Sequence, residues 1–366
     1  MKVTVSRKDF ADALTLAASA SSTRSALPVL SSIRLNAEGS SLSLLGCDGE
    51  MWAESTCAAN TEAPGAICVQ RQLLGEIVNA LPDGEMLIEL DGTSVYIKHD
   101  HSEFKMMALP ADEFPTIPDV GSESELTLPF GEFCKAVAGV QFACSDDTSR
   151  PVLTGVLFNY DGEVLTLVAT DTHRLAVHKI HRGGIGSQLN VTVPSKALKA
   201  IRNMPLGEDE NITVRFDDAR LTVDTGGCNV TSQLLNGQYP NWERVIPQEH
   251  TRVWTVDKSE FQSNLRRALI LAKDNANRVK FTGEGDMVVI SSRSEDKGES
   301  KEEVACVSKN GDMKIAFNGQ YVMDALQAMD ADGVKAEMTE PSRPAILRPT
   351  EGGDDHFCVV MPMAVD

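Results

Sequence analysis

Between residues 168 and 177 the sequence reads VATDTHRLAV. Asp171, His173 and Arg174, with Thr170 and Thr172 beside them, interrupt a run that otherwise reads as a buried strand. An acid close to an imidazole is the raw material of general acid–base catalysis, and a guanidinium binds anions. Nucleophilic catalysis needs more: a Ser or Cys next to the His, and an acid that orients it. No G-x-S-x-G elbow supplies one, and the seven histidines are too dispersed to make a metal site. His99 and His101 alternate in KHDHSE, as on a solvated hairpin. There is no G-x-x-x-x-G-K-[ST] loop, so nucleotide hydrolysis is not expected. No metal or cofactor is predicted.

The chain that must position these residues has 366 residues, enough for two or three domains with sizeable cores. Nothing in MKVTVSRKDF resembles a signal peptide, and no run of about 18 apolar residues is present. The eight cysteines (Cys47, Cys57, Cys68, Cys134, Cys144, Cys228, Cys306 and Cys358) form no C-x-x-C pair. This usage predicts a reducing cytoplasm and thiols that act as small buried apolar side chains.

The chain repeats itself. LPVLSSIRL (27–35) lies over RPVLTGVLF (150–158), and LSLLGCD (42–48) over LTLVATD (165–171), at one offset of 123 residues. The same offset carries Phe10 to Phe133 and Asp48 to Asp171. A third copy opens at Phe261, and VKFTGEGDMVVIS (279–291) matches VLFNYDGEVLTLV (156–168). CVQRQLLGEIVNAL (68–81), TVPSKALKAIRNM (192–204) and AFNGQYVMDALQAM (316–329) align at steps of 124. Apolar residues at helical spacing, such as Phe133, Ala136, Val137 and Val140, predict two helices per copy. Short alternating runs such as EMLIEL, SVYIKH, NITVRF and ARLTVD, split by Asp-Gly turns, predict two small antiparallel sheets per copy. Polar stretches near 121–124 and 247–251 mark the boundaries.

The net charge of -19 argues against a conventional duplex-DNA binder, which carries a basic face. The charge is unevenly spread. The six helix windows (7–19, 70–81, 131–142, 195–204, 257–272 and 318–329) together carry +3. Helices facing one shared surface would make it mildly positive inside an acidic shell. Because phosphate attraction supplies most non-specific affinity, such a protein would hold DNA only weakly unless it enclosed it.

ALPVL (26–30), LPADEFP (109–115), SRPVLTGVLF (149–158), VATDTHRLAV (168–177), YPNWERVIP (239–247), FNGQYVMDAL (317–326) and the terminal VVMPM (359–363) occur in this order along the whole chain. In these motifs the chain resembles the β subunit of bacterial DNA polymerase III, the replication sliding-clamp family. The resemblance implies an α+β fold of three clamp domains, 1–121, 122–248 and 249–366. It implies a head-to-tail homodimer, a six-domain ring with helices inside, that encircles double-stranded DNA without reading its sequence. Such a protein is a non-catalytic, cytoplasmic processivity factor with no membrane association. Its partners are the DNA polymerase III alpha subunit, the clamp loader, and other polymerases and repair proteins that carry short linear motifs.

Carried over residue by residue, the resemblance implies a peptide cleft. It would be built from Leu153, Thr170, Thr172, His173, Arg174, Leu175, Pro240, Arg244, Val245, Asn318, Tyr321, Pro344, Ile346, Val359, Val360, Met361, Pro362 and Met363. The repeat is an internal control: the first copy has Glu50 and Met51 where the second has His173 and Arg174, so that pair serves a local role. Thr172 stands where the family's better-known members carry Gly, and the MAVD tail departs from them too. For DNA, the resemblance implies Arg24 and Arg150 on equivalent loops. Lys196, Lys199 and Arg202 follow on one helix arc, with Arg71, Arg266 and Arg267 as weaker candidates. At the dimer seam it implies Phe104 and Met106 of one chain against Ile270 and Leu271 of the other. The acidic run 294–303 would lie near that edge, paired with Lys98 or Lys105, or else form a solvated hairpin. Two other readings stand beside this one: an enzyme using Asp171 and His173 as acid and base, and a monomeric peptide-binding scaffold without a DNA role.

Overall fold

The computed structural model describes residues 1–22, 27–122, 124–310 and 312–365. Eight strands and two helices recur three times in the same order. The first set is β1 (Lys2–Ser6), α1 (Arg7–Ala20), β2 (Ser32–Glu38), β3 (Ser41–Cys47), β4 (Met51–Ala63), β5 (Gly65–Gln70), α2 (Arg71–Ala80), β6 (Glu85–Asp91), β7 (Ser94–His99) and β8 (Ser102–Pro110). The second is β9 (Ser124–Pro129), α3 (Phe130–Gln141), β10 (Gly155–Tyr160), β11 (Val164–Thr170), β12 (Arg174–His181), β13 (Leu189–Pro194), α4 (Ser195–Arg202), β14 (Asn211–Phe216), β15 (Arg220–Asp224) and β16 (Cys228–Gln233). The third is β17 (Arg252–Asp257), α5 (Lys258–Ala272), β18 (Arg278–Glu284), β19 (Met287–Ser294), β20 (Gly298–Lys309), β21 (Met313–Asn318), α6 (Gly319–Ala328), β22 (Gly333–Met338), β23 (Ala345–Pro349) and β24 (His356–Val360). All six helix windows and the four quoted strands lie where periodicity put them.

Local chemistry starts the helices. Ser6 and Asp257, at equivalent positions, accept from the amides of Asp9 and Glu260, at 3.4 and 2.8 Å. Asn318 caps α6 by accepting from Gln320 at 3.0 Å. Each cap satisfies an amide that has no partner inside the helix. Phe10, Ala13, Leu14 and Ala17 then form the buried stripe of α1, packed on Val3, Leu42, Leu44 and Leu74.

Contacts gather the chain into two compact units, residues 1–131, 185–187 and 196–234, and residues 132–184, 188–195 and 235–366. Each contains one twelve-stranded sheet. The first has the order β1-β6-β7-β8-β5-β2-β3-β4-β16-β15-β14-β9, and the second β13-β10-β11-β12-β24-β23-β22-β17-β20-β19-β18-β21. The strands of the second set are shared between the two units, so the units cut across the boundaries at 121 and 248. The cause is strand pairing: β16 joins β4 in one unit, and β12 joins β24 in the other.

The two junctions share a register. Val230 faces Ala53 across β16 and β4; Cys358 faces Ala176 across β24 and β12. In each case the eighth strand of one set pairs with the fourth strand of another through a ladder of five residue pairs, with these two at its centre. Two strands of these same types lack such a partner. β8 pairs with β7 through Ser102–Met107 and with β5 through its last residues. β20 pairs with β19 through Gly298–Ala305 and with β17 beyond. Among the described residues, the other side of each of those longer stretches carries no strand.

One expectation fails here. His99 is not on a solvated hairpin: it is 3% exposed, whereas His101 is exposed. The alternation of β7 turns His99 to the same buried side as Val95 and Ile97.

Candidate binding cleft

The turn between β11 and β12 is built by Asp171. Its Oδ1 accepts the amides of His173 and Arg174 at 2.9 and 3.0 Å, and its Oδ2 accepts Arg174 Nε at 2.9 Å. Thr170 Oγ1 donates to the Arg174 carbonyl at 2.6 Å and accepts the Thr172 amide at 3.1 Å. Arg174 Nη1 reaches Asp324 on α6 at 2.5 Å. The Arg174 guanidinium lies 4.4 Å from the Tyr321 ring centre and 5.4 Å from that of Phe142. His173 also stacks on Tyr321, with ring centres 6.4 Å apart and planes 20° apart. Asp171 is therefore committed to the backbone and to Arg174 and does not orient the imidazole. The acid, the imidazole and the guanidinium build a rigid corner, and the acid–base reading loses its geometry.

Next to this corner is a cavity of about 140 Å³, lined by Thr170, Thr172, Arg174, Leu175, Pro240, Asn241, Trp242, Val245, Val359 and Met361. Its volume suits one branched aliphatic side chain and falls just short of the roughly 150 Å³ of an apolar cavity that accommodates benzene. The floor is core: Leu175 and Val359 pack with Leu157, Val168, Val177, Ile346 and Phe357, under Tyr239, Trp242 and Ile246. The Tyr239 hydroxyl donates to the Val168 carbonyl at 3.3 Å, and burial raises its pKa. Above the floor, Val245 and Met361 are 44% and 38% exposed, apolar groups held open to solvent. The Met361 amide donates to the His173 carbonyl at 2.9 Å, which ties the chain after β24 to the corner.

Of the residues expected in a cleft, Thr170, Thr172, Arg174, Leu175, Pro240, Val245, Val359 and Met361 line this cavity. His173 and Tyr321 stack beside it. Leu153, Ile346 and Val360 are core residues, 2%, 1% and 1% exposed, and do not line it. Asn318 caps α6, Met363 donates its amide to the Ala316 carbonyl at 2.7 Å, Pro344 and Pro362 are half-buried, and Arg244 is exposed on a short 3-10 turn. Asn241 and Trp242 escaped the sequence reading although YPNWERVIP contains them. A Trp placed in a polar, Pro-bracketed segment was the signal. Asp324 and Phe142, which hold Arg174, carried no signal, because only folding brings them to it.

The cations are distributed differently. Arg24 lies outside the described residues. On α4, Lys196 and Lys199 are exposed and Arg202 is half-buried, over a face of buried Ala197, Leu198, Ala200 and Ile201. Lys196 forms an ion pair with Asp48. Arg150 lies 3.4 Å from Asp147, and Arg267 is 2.7 Å from Glu302. Arg71 is half-buried at the start of α2, and Arg266 is exposed on α5. At the other candidate surface, Ile270 is 65% exposed, Leu271 and Phe104 are half-buried, and Met106 is only 3% exposed, packed in its own core. Its neighbour Met107 is 69% exposed. Lys98 is paired with Glu89 at 3.1 Å and lies 3.7 Å from Glu103; within the acidic run, Glu302 holds Arg267 and Glu303 holds Lys301. Among the described residues, no group of three acidic, His or Cys side chains is placed to hold a metal.

Comparison with known proteins agrees along the whole chain. Family models described as the DNA polymerase III beta subunit N-terminal, central and C-terminal domains match residues 1–118, 127–241 and 243–364. The beta sliding clamp of Staphylococcus aureus is 32% identical over 99% of each chain, and that of Staphylococcus epidermidis 31% over 96% of each. The crystal structure of the sliding clamp from Bacillus subtilis superposes with a TM-score of 0.90 at 26% identity, covering 100% of both chains. A Pseudomonas aeruginosa clamp bound to griselimycin does so at 0.90 and 26%, covering 100% of this chain and 99% of its own. The chain belongs to the DNA polymerase III beta subunit family.

Proposed function

We propose that this chain is a sliding clamp: a non-catalytic processivity factor, two copies of which close head to tail into a ring around duplex DNA. The observation that carries this reading is the pair of unmatched strand stretches. Each repeat offers one strand of the β4 type and one of the β8 type. β4 takes β16 and β12 takes β24, which leaves β20 and β8 over. A second copy supplies the missing partners at both ends, and a head-to-tail contact that closes makes a ring. The clamp domains of such a chain are 1–121, 122–248 and 249–366.

Extending the shared register to the free strands supports a specific seam. Phe104 of β8 holds the place of Val230 and Cys358, and Ser300 of β20 the place of Ala53 and Ala176. Phe104 then faces Ser300 of the other chain. Glu103 faces Lys301, and Lys105 faces Glu299, so both flanking pairs are of opposite charge. Ile270 and Leu271 of α5 supply apolar area beside it, with Met107 rather than the buried Met106.

The ring accounts for the charge. An acidic chain with a net -19 has little phosphate attraction to spend, and enclosure holds DNA without it. Of the described cations that the resemblance implies for DNA, Lys199 and Arg266 are the exposed ones without an ion pair among the described residues, so they face phosphate best. The cavity over Leu175 serves as the docking port for short linear motifs of the DNA polymerase III alpha subunit, the clamp loader, and other polymerases and repair proteins. Nothing in the reading requires a cofactor. A cytoplasmic location agrees with eight cysteines that are all free of disulfides, and no helix among the described residues is long and apolar enough to cross a membrane.

Sedimentation of the purified protein tests the seam. A dimer is expected at micromolar concentration, and a monomer there contradicts the ring.

A further inference from the structure

The turns after β3 and β11 are the same turn in successive copies. Asp48 Oδ1 accepts the amides of Glu50 and Met51 at 3.0 and 2.8 Å, as Asp171 accepts those of His173 and Arg174. Both turns need the left-handed region at the residue after the Asp. In the first copy that residue is Gly49, at φ +99°; in the second it is Thr172, at φ +77°. A β-branched residue is poorly suited to that region, and such strain persists only when something else is gained. Space does not demand the glycine, because a Cβ on Gly49 would meet nothing within 4 Å; the cost at Thr172 is one of backbone conformation.

The protein itself does not repay that cost. The Thr172 side chain is exposed, and its hydroxyl has no hydrogen-bond partner among the described residues. Its amide bond to Thr170 is one that a glycine would also make. What the residue does is line the cavity, together with Pro240, Trp242 and Val245. We infer that Thr172 is a specificity-determining residue of the cleft: its branched side chain narrows the cavity, so that the port takes an aliphatic side chain and disfavours a large aromatic one. This rests on the reading of the cavity as a peptide port.

The test uses the full-length protein and its Thr172→Gly variant. Hexapeptides are selected from a random display library on the unaltered protein. The best binder is then synthesised with Leu, Phe or Trp at its apolar position, and binding is measured by fluorescence anisotropy. Thr172→Gly is expected to lower the preference for Leu over Phe roughly tenfold, the scale of a small volume change in an apolar pocket. It is also expected to raise Tm by about 1–2 °C, because strain is released. An unchanged Leu-to-Phe ratio overturns the inference, as does a fall in Tm, which would make Thr172 a structural residue. A selection on the unaltered protein that yields no binder displaced by Leu175→Trp overturns the port itself, and the inference with it.

Discussion

Trp52 and Leu175 hold the same position in successive copies of the repeat, each the second residue of its strand and each paired across a junction, with Thr231 and Val359 respectively. Trp52 is 7% exposed and packs with Leu45, Cys47, Cys68 and Phe114. Leu175 is smaller, and the cavity lies above it. Under the proposed function, the smaller side chain at this position leaves room for the port. Leu175→Trp should fill it, at a cost of about 1–3 kcal/mol for overpacking. Peptide affinity should fall at least tenfold while the protein sediments as before. Undiminished binding would place the port elsewhere.

His178 and His356 face each other across β12 and β24, with ring centres 4.9 Å apart. His356 Nε2 lies 3.0 Å from the Gly139 carbonyl, and a Cβ on Gly139 would come within 2.7 Å of His178 Nδ1. Burial, then the charge of His356 and of Lys135, pushes His178 down to about 4, against a smaller opposing effect of Asp355. Burial also lowers His356, opposed by its bond to Gly139. Both rings are therefore neutral in the fold and bind protons more readily when unfolded. Stability is fully present above about pH 6.5 and declines as pH falls toward the folded values, by about 1.4 kcal/mol per pH unit for each group. The equivalent place at the other junction holds Ser55 and Cys228, 3.5 Å apart. Urea unfolding of wild type should lose about 1–3 kcal/mol between pH 7.5 and 5.5, and His178→Ser with His356→Cys should flatten that loss. Parallel pH profiles would refute the assignment.

The proposed register makes the seam sensitive to charge. Lys105→Glu places two acids face to face with Glu299 of the other chain and should weaken the dimer, by about 0.5–1 kcal/mol at each seam. Glu299→Lys in the same chain should restore it. The check is the dimer dissociation constant of the single and double variants by sedimentation. A double variant as weak as the sum of its singles would show that the two residues do not meet.

On α4, Lys199 is exposed and Lys196 is engaged by Asp48. If both face DNA, removing Lys199 should reduce the slope of log affinity against log salt by about 0.9, the loss of one phosphate contact. Lys196→Ala should change it less. Equal slopes for all three proteins would remove α4 from the DNA-facing set.

The repeat, the six helices and the antiparallel strands were legible in the sequence because each rests on local periodicity. The corner at Asp171 was legible only as a cluster of polar residues. What it does depends on Asp324 and Phe142, which lie 153 and 29 residues away in sequence and meet Arg174 only through packing. His99 was misread because its neighbours Asp100 and His101 are polar, while the pleat sends it inward with Val95 and Ile97. Met106 and Met107 show the same limit: alternation says that one of them is inside, and only pairing with Val95 shows that it is Met106. The division of the central strands between two units was invisible too, since it comes from pairing between strands more than 170 residues apart.

The most direct test of enclosure is retention on DNA of different topology. The protein is loaded by its cognate clamp loader onto a nicked circular duplex, separated from free protein by gel filtration, and the circle is then cut once. The account predicts that it stays on the closed circle through the column and leaves within minutes of linearisation, at a salt concentration where it has no measurable affinity for linear duplex. Equal retention on circle and linear duplex, or loss from both, would contradict it.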